Sequence, residues 1–325
     1  MTRLGLLLAV AGAGALVAYP WVFTSNYAIN VGFLVLFAAY LGQTWNIAGG
    51  FAGQTSFGHV VFFGAGAYVS AILHTTYGVN PWLAWPFAAL AGAFVGWLVG
   101  VLSYRAGLKG AYFALITLAF AETGRIVANS LPITRGGLGI LVQADHRAAN
   151  FQFRDPVWFY YLALALCGLA TFVAWRLTRT RFGARLAAIR ENEDAAQALG
   201  IDSFREKVKC LALSGCLCGA GGTVYVQKYL YIDPSIAFGV DKSVEMLLVG
   251  LIGGAGTVLG PLIGAGVLHL VGEVTRDLGN MLPGVTNAQP LSIIVYGAVL
   301  IAIVAWLPDG LMGLFGRRSS RGRRA

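Results

Sequence analysis

The sequence predicts an all-α, polytopic integral membrane protein. Of the 325 residues, 57% are hydrophobic and only 11% are charged, whereas soluble domains carry about 25% charged residues. Apolar stretches of about 20 residues recur along the chain, and each can cross about 30 Å of hydrocarbon as a helix. A transmembrane β-barrel would show shorter segments of alternating polarity. We therefore expect a single transmembrane domain over residues 1–325, with about 8–10 transmembrane helices.

The basic residues are concentrated in two short polar stretches. Of the 23 Lys and Arg residues, eight lie in residues 176–209 and five lie in residues 316–325. Basic residues mark the cytoplasmic side of a membrane protein, so we expect a cytoplasmic loop, a basic cytoplasmic tail and cytoplasmic termini. The polar residues 132–155 should lie outside. The net charge of +9 therefore indicates topology, not binding to nucleic acid.

The predicted spans follow one another with short connections. The first, residues 4–23, resembles a signal peptide, but no secreted type of domain follows, so we expect it to be retained. Further spans are predicted at residues 27–48, 60–73, 81–104, 111–131, 156–175, 210–229, 243–251, 260–274 and 291–307. One of them carries Gly92, Gly96 and Gly100 at every fourth position, a pattern that lets another helix pack closely.

Two apolar regions are interrupted by Gly-rich sequence, at residues 49–59 and 253–257. Non-helical backbone at membrane depth is tolerated only where protein or a cavity surrounds it, so the sequence predicts two broken helices. The pattern GFAG at residues 50–53 is echoed by GGAG at residues 253–256. Paired interruptions of this kind are typical of transporters with inverted repeats, and such a repeat is a possible interpretation here.

The middle of the charged loop predicts a short helix. Asn192 is a suitable N-cap, and Glu193 and Asp194 follow in the first turn, where the helix dipole favours acidic side chains. Residues 195–199 are mostly strong helix formers, and Gly200 can take the left-handed conformation that ends a helix. So short a helix is marginal alone in water, which favours a docking element. The alternative is a solvated connector.

The same loop carries a family resemblance. Residues 194–200 read DAAQALG, which is similar to the EAA loop of ABC-importer permeases with Asp in place of the first Glu. Residues 181–202, RFGARLAAIRENEDAAQALGID, closely resemble the loop of branched-chain amino acid permeases of the LivM type. Other segments similar to that family are NIAGGFAGQTSFGH at 46–59, GLKGAYFALITL at 107–118, TRGGLGI at 134–140 and LIGGAGTVLGP at 251–261.

The resemblance implies a subunit of an ATP-binding cassette importer. Such permeases pair with a homologous LivH-type permease, two cytoplasmic ATPase subunits and a periplasmic substrate-binding protein. The sequence has no G-x-x-x-x-G-K-[S/T] phosphate-binding loop, so we expect no bound cofactor and no enzyme activity in this chain, with ATP hydrolysed by partner subunits. The residues expected to couple to the ATPase are Arg190, Glu193, Asp194, Ala195, Ala196 and Gly200.

Polar residues inside the predicted spans are candidates for the translocation pathway, because such groups usually face a partner or a water-filled route. The candidates are Asn46, Gln54, Ser56, His59, Thr117, Glu122 and Glu245. Simpler roles compete with transport for three of them. Glu122 can pair with Arg125 on the same helix face, His59 can hydrogen-bond a neighbouring helix, and Glu245 can cap its helix.

The favoured function is import of branched-chain amino acids, namely leucine, isoleucine and valine, across the inner membrane. The same architecture with urea, short amides or sugars as cargo is one alternative. A stand-alone secondary transporter or channel is another. No nucleophile–base pair and no His/Asp cluster with metal-ligand spacing stands out in the sequence, so neither an intramembrane enzyme nor a metal site is predicted.

Overall fold

The computed structural model of this protein describes residues 3–145, 147–281, 297–298, 301 and 310–313. The predicted span 291–307 lies outside the described residues except at three positions, and the basic stretch 316–325 lies outside them entirely. The predictions for that span and that tail therefore stay predictions.

The chain folds almost entirely into helices, which confirms the predicted all-α class. The helices before the charged loop are α1 (Arg3–Val22), α2 (Asn26–Asn46), α3 (Val60–Thr75), α4 (Pro81–Arg105), α5 (Gly110–Ser130) and α6 (Pro156–Leu177). The later helices are α7 (Arg181–Glu191), α8 (Glu193–Ala198), α9 (Ser203–Tyr229), α10 (Pro234–Phe238), α11 (Val240–Gly253) and α12 (Gly260–Met281). Among the described residues, five helices are long and apolar enough to span a membrane: α2 with its extension to Phe51, α4, α5, α6 and α9. The protein is a multi-pass membrane protein.

The charged loop and residues 132–155 lie at opposite ends of the helix bundle, as predicted. Lys109, in the turn between α4 and α5, has its ammonium 3.2 Å from the carboxylate of Glu193 in α8. At the other end, the strand β1 (Ile140–Leu141) pairs antiparallel with β2 (Tyr231–Ile232), just beyond the end of α9. Strands of two residues leave no period in the sequence, so the pattern does not predict this pair. We call the two ends the charged side and the far side.

The helices α4 and α9 pack closely against each other. A Cβ on Gly92 would lie 2.9 Å from the Cα of Gly219, and a Cβ on Gly96 would lie 2.5 Å from the carbonyl oxygen of Leu211. On the neighbouring helix α3, a Cβ on Gly66 would overlap the carbonyl oxygen of Gly219. Small residues let backbones approach where lipid provides no hydrophobic driving force. The predicted glycine stripe on α4 is therefore a packing surface for α9.

Each Gly-rich segment forms the turn of a helical hairpin on the charged side. After α2, a π-helix (Ile47–Phe51) leads into residues 52–59, which are not helical, and α3 then returns toward the far side. α11 and α12 enclose residues 254–259 in the same way. The two predicted helix breaks are confirmed.

The two hairpins run in the same sense through the bundle. A Cβ on Gly42 of α2 would lie 2.8 Å from Cβ of Val249 in α11, and four residues further on Asn46 bonds the backbone N–H of Gly256. Residue numbers thus rise together along α2 and α11. Both hairpins turn on the charged side, so the two similar Gly-rich segments have the same orientation. An inverted repeat, which the sequence pattern suggested, therefore does not relate these two hairpins.

We expect Gly92→Ala to destabilise the bundle, because overpacking a close contact costs about 1–3 kcal/mol. The matched control is Gly168→Ala in α6, where nothing lies within 4 Å of an added Cβ and helix propensity favours Ala. Thermal denaturation of each purified protein in detergent should give a lower Tm for Gly92→Ala only. Equal Tm values for the two variants would contradict the close α4–α9 contact.

Candidate functional site

Both ends of α8 are fixed by the residues that the sequence predicts. The side-chain oxygen of Asn192 accepts a hydrogen bond from the N–H of Ala195 at 3.0 Å. At the other end, Gly200 has a φ of 84°, and the N–H of Ile201 donates to the carbonyl of Ala196 at 3.1 Å. A left-handed glycine with this backbone bond is a common helix ending. The helix therefore occupies a defined position within the charged loop.

Glu193 attaches α8 to the membrane helices. Its carboxylate lies 2.6 Å from the Lys207 ammonium in α9 and 3.2 Å from that of Lys109 in the α4–α5 turn. The Lys207 side chain is only 4% exposed, and its ammonium lies 5.3 Å from the centre of the Tyr104 ring. Burial alone would raise the pKa of Glu193, but hydrogen bonds and charge from Lys207 and Lys109 bring that pKa below its usual value. Moving α8 therefore moves α9 and the turn, or breaks a desolvated ion pair.

The outer face of α8 is an exposed, weakly polar surface. Ala196 is buried at 2% exposure, whereas the neighbouring Leu199 is 82% exposed. Of the residues expected to couple to the ATPase, three are exposed on this face: Asp194, Ala195 and Gly200. An exposed large apolar side chain among small residues suits the packing of a protein partner. We call the surface of Asp194, Ala195, Leu199 and Gly200 the docking face.

The helix α7 precedes α8 and packs against the first Gly-rich turn. Its Leu186 and Ile189 are buried, and Leu186 belongs to a cluster with Ile47 and Cys210. In the loop sequence, the spacing of these two apolar residues fits one buried helix face, but the surrounding charged residues obscure this pattern. Arg190 lies in the last turn of α7, and its guanidinium contacts the first Gly-rich turn.

Arg190 and Asn46 hold the two Gly-rich turns together. The Asn46 side chain accepts from the N–H of Gly256 at 2.7 Å and donates to the carbonyl of Thr257 at 2.9 Å. The guanidinium of Arg190 donates from Nη1 to the carbonyl of Gly50 at 2.9 Å. A Cβ on Gly256 would lie 2.5 Å from this nitrogen, so only glycine leaves room for it. Backbone groups that the helix breaks release are thus hydrogen-bonded to side chains, as burial in a membrane protein requires.

An open cavity of about 510 Å³ lies beside this contact. Its walls include Gly50, Arg190, Leu251, Ala255, Thr257 and Met312. Arg190 is the charged residue among these described walls, Thr257 is polar, and the rest are apolar side chains or glycine. The cavity is thus amphipathic and lies where the two hairpins turn.

His59 and Ser56 are buried among the helices near the middle of the bundle. His59 Nε2 lies 2.9 Å from the hydroxyl of Ser214 in α9, and that hydroxyl donates to the carbonyl of Thr44 at 2.5 Å. A hydroxyl has one proton, so His59 must donate from Nε2. Its Nδ1 and the Ser56 hydroxyl have no hydrogen-bond partner within the described part of the chain. The expected bond from His59 to a neighbouring helix is present.

Thr117 and Gln54 support the non-helical residues 52–59. The Thr117 hydroxyl in α5 accepts from the N–H of Phe57 at 3.1 Å, and a Cβ on Gly58 would overlap the carbonyl of Thr117. Gln54 donates from Nε2 to the carbonyl two residues before it at 3.1 Å. These contacts give both residues a visible role in shaping the turn.

Glu122 and Glu245 are paired with nearby cations. Arg125 holds Glu122 through two bonds of 2.5 and 3.0 Å, which is the simpler role expected from their spacing. Glu245 lies 2.9 Å from the ammonium of Lys242 and 3.7 Å from Nε2 of His269. Neither carboxylate lines the cavity beside Arg190.

Two serines that the sequence pattern does not single out join the elements of the site. Ser243 of α11 accepts at its hydroxyl from the N–H of Val60 at 2.9 Å, and so caps the start of α3 from the other hairpin. Ser214 links α9 to α2 and His59. Single serines in apolar spans carry little signal, because their role depends on which carbonyl or N–H lies opposite.

Known proteins match the chain over most of its length. Residues 23–304 match the family described as branched-chain amino acid transport system, permease component. The chain is 28% identical over 320 residues to the high-affinity branched-chain amino acid transport system permease protein LivM of Salmonella typhimurium, covering 91% of this chain and 72% of that protein. It is 24% identical over 271 residues to the probable LivM of Methanocaldococcus jannaschii, covering 78% of each chain.

The chain is also similar, over a shorter stretch, to a permease that is named for another cargo. The chain is 30% identical over 195 residues to the autoinducer 2 import system permease protein LsrC of Klebsiella pneumoniae, covering 57% of this chain and 52% of that protein. No solved structure matches the chain. The family match at residues 23–304 includes both Gly-rich hairpins and the charged loop. The protein therefore belongs to the branched-chain amino acid transport permease family.

Proposed function

We propose that this chain is the membrane-spanning permease subunit of an ATP-binding cassette importer that moves leucine, isoleucine and valine across the bacterial inner membrane. One observation carries the proposal: α8 presents an exposed docking face, while Glu193 ties its other side to α9 and to the α4–α5 turn. A solvated connector needs no desolvated ion pair. A helix anchored in this way transmits the movement of a partner to the membrane helices as rigid-body motion.

The partners in this proposal occupy different surfaces of the chain. Two ATPase subunits hydrolyse ATP on the charged side, which is then the cytoplasm and holds both termini, and this chain binds no cofactor itself. A homologous LivH-type permease packs beside the bundle, where lipid covers the remaining apolar surface. A periplasmic binding protein delivers the cargo at the far side. Nucleic acid has no role.

The match to LsrC bears on the choice of cargo. A relative named for autoinducer 2 import indicates that permeases similar to this chain do not all carry branched-chain amino acids, so the same architecture with urea, short amides or sugars as cargo stays the alternative. Competition by these compounds against labelled leucine in an uptake assay distinguishes the cargo classes.

We expect ATP-dependent uptake of labelled L-leucine by proteoliposomes that contain this chain together with its partner permease, ATPases and binding protein. Proteoliposomes with this chain alone should take up none, because the energy comes from the partners. Leucine uptake by the chain alone, without ATP, would instead establish a stand-alone transporter or channel.

Ala195→Arg should reduce both uptake and transport-coupled ATP hydrolysis by at least about tenfold, since a disrupted interface hot spot costs about 2 kcal/mol or more. The matched control is Ala106→Arg, which places the same side chain at an exposed position on the charged side, outside the docking face. Uptake and ATP hydrolysis are measured on the reconstituted complex. Normal coupling in Ala195→Arg would rule out the docking face as the ATPase contact.

Glu193→Gln should uncouple the complex, because it leaves the buried Lys207 ammonium without its main counter-charge, at a cost on the order of 3 kcal/mol. The matched control is Glu191→Gln, whose side chain is 77% exposed and whose surface ion pair contributes about 1 kcal/mol or less. The number of leucine molecules imported per ATP hydrolysed should fall only in Glu193→Gln. An equal ratio in both variants argues against transmission through Glu193.

A further inference from the structure

The open cavity between the two hairpin turns has the volume of a small-molecule site. Its volume of about 510 Å³ falls within the range of about 300–1,000 Å³ that is usual for ligand pockets. Discontinuous helices that line a cavity are where transporters commonly hold their cargo. Here both Gly-rich turns contribute to the lining, through Gly50 on one side and Ala255 on the other.

Arg190 supplies the cationic wall of this cavity. Its described hydrogen bonds run from Nη1 to the carbonyl of Gly50 and from Nη2 to the carboxylate of Glu191 at 3.3 Å. A guanidinium has five N–H donors in a planar fork, so donors remain after these two bonds. The side chain is 40% exposed, and it therefore reaches the open cavity. An arginine in this position suits a carboxylate, which it can bind through two parallel bonds.

The other walls are apolar or already hydrogen-bonded. Leu251 and Met312 present aliphatic side chains, and Met adapts its shape to branched apolar groups. The Thr257 hydroxyl already donates to the carbonyl of Gly254 at 2.7 Å. Among the described lining residues, Arg190 is the one cation and free polar groups are few, so this lining favours a ligand with a single carboxylate and an apolar body over a sugar.

We infer that this cavity binds branched aliphatic monocarboxylates at the charged-side end of the transport route, with the carboxylate on Arg190 and the aliphatic group against Leu251 and Met312. This inference rests on the proposed function and deepens it, because it names the residue that recognises the carboxylate of the cargo. Arg190 also bonds Gly50 between the two turns, so the ligand binds at the point where the hairpins are held together.

Protection of an engineered cysteine tests the site. Ala255→Cys is introduced at this exposed lining position, and its maleimide labelling in full-length protein in nanodiscs is followed by peptide-resolved mass spectrometry, which separates it from the native cysteines. The probes are L-leucine, 4-methylpentanoate, which lacks the ammonium, and 3-methylbutylamine, which lacks the carboxylate. At about 10 mM, a ligand with a Kd of about 1 mM slows labelling about tenfold.

We expect protection by leucine and by 4-methylpentanoate, and none by the amine. Ala149→Cys on the far side should be labelled at one rate with every probe. Arg190→Gln should abolish the protection and Arg190→Lys should retain part of it. The probe series with Arg190 intact does not depend on how these variants fold.

Equal protection by the amine and the carboxylate would overturn the assignment to Arg190, and labelling unaffected by leucine and 4-methylpentanoate would overturn the site itself. The importer proposal is judged separately by ATP-dependent uptake. If the reconstituted complex takes up leucine but Ala255→Cys is not protected, the binding site is wrong and the importer proposal stands. If Ala255→Cys is protected but the complex takes up no leucine, the binding site stands and the importer proposal is wrong.

Discussion

Two helix breaks inside a membrane protein release backbone N–H and C=O groups that must find partners within the protein, and the rest of this structure depends on how they do so. Asn46 bonds both an N–H and a carbonyl of the second turn, and Arg190 reaches from the charged loop to the carbonyl of Gly50 in the first. Thr117 and Ser243 supply further bonds to the first hairpin. The two turns therefore lie against each other, and glycines occupy the positions where a Cβ would displace these partners.

The same requirement connects the charged loop to the membrane helices at two places. Arg190, in the last turn of α7, donates to the first Gly-rich turn, and Glu193, the first residue of α8, forms an ion pair with Lys207. These residues are three positions apart, so a force on α8 acts both on α9 and on the contact between the turns. The Gly-rich turns are the least regular part of the bundle and are held by a few side-chain bonds.

The features that depend on local sequence could be predicted, and those that depend on distant neighbours could not. Apolar length predicts the helices, Asn192 and Gly200 mark the ends around α8, and the glycine stripe of α4 indicates a close partner. The contact of Arg190 with Gly50 joins residues 140 positions apart, and only the fold brings them together. The parallel sense of the two hairpins likewise follows from packing, since the Gly patterns alone fit either orientation.

The residues around the cavity divide into those that bond the released backbone and those that only line the cavity, and this division can explain different cargoes within one family. Residues that bond the released backbone, such as Asn46, cannot change without unpairing buried polar groups, which costs about 1–3 kcal/mol each. Leu251, Ala255 and Met312 line the cavity with side chains that make no hydrogen bonds, so they can vary in size and polarity while the turns stay intact. Arg190 belongs to both groups, because one nitrogen holds Gly50 while the side chain also lines the cavity. Under the binding mode inferred above, substitutions in this cavity therefore change the body of the cargo more easily than the charge that Arg190 would select.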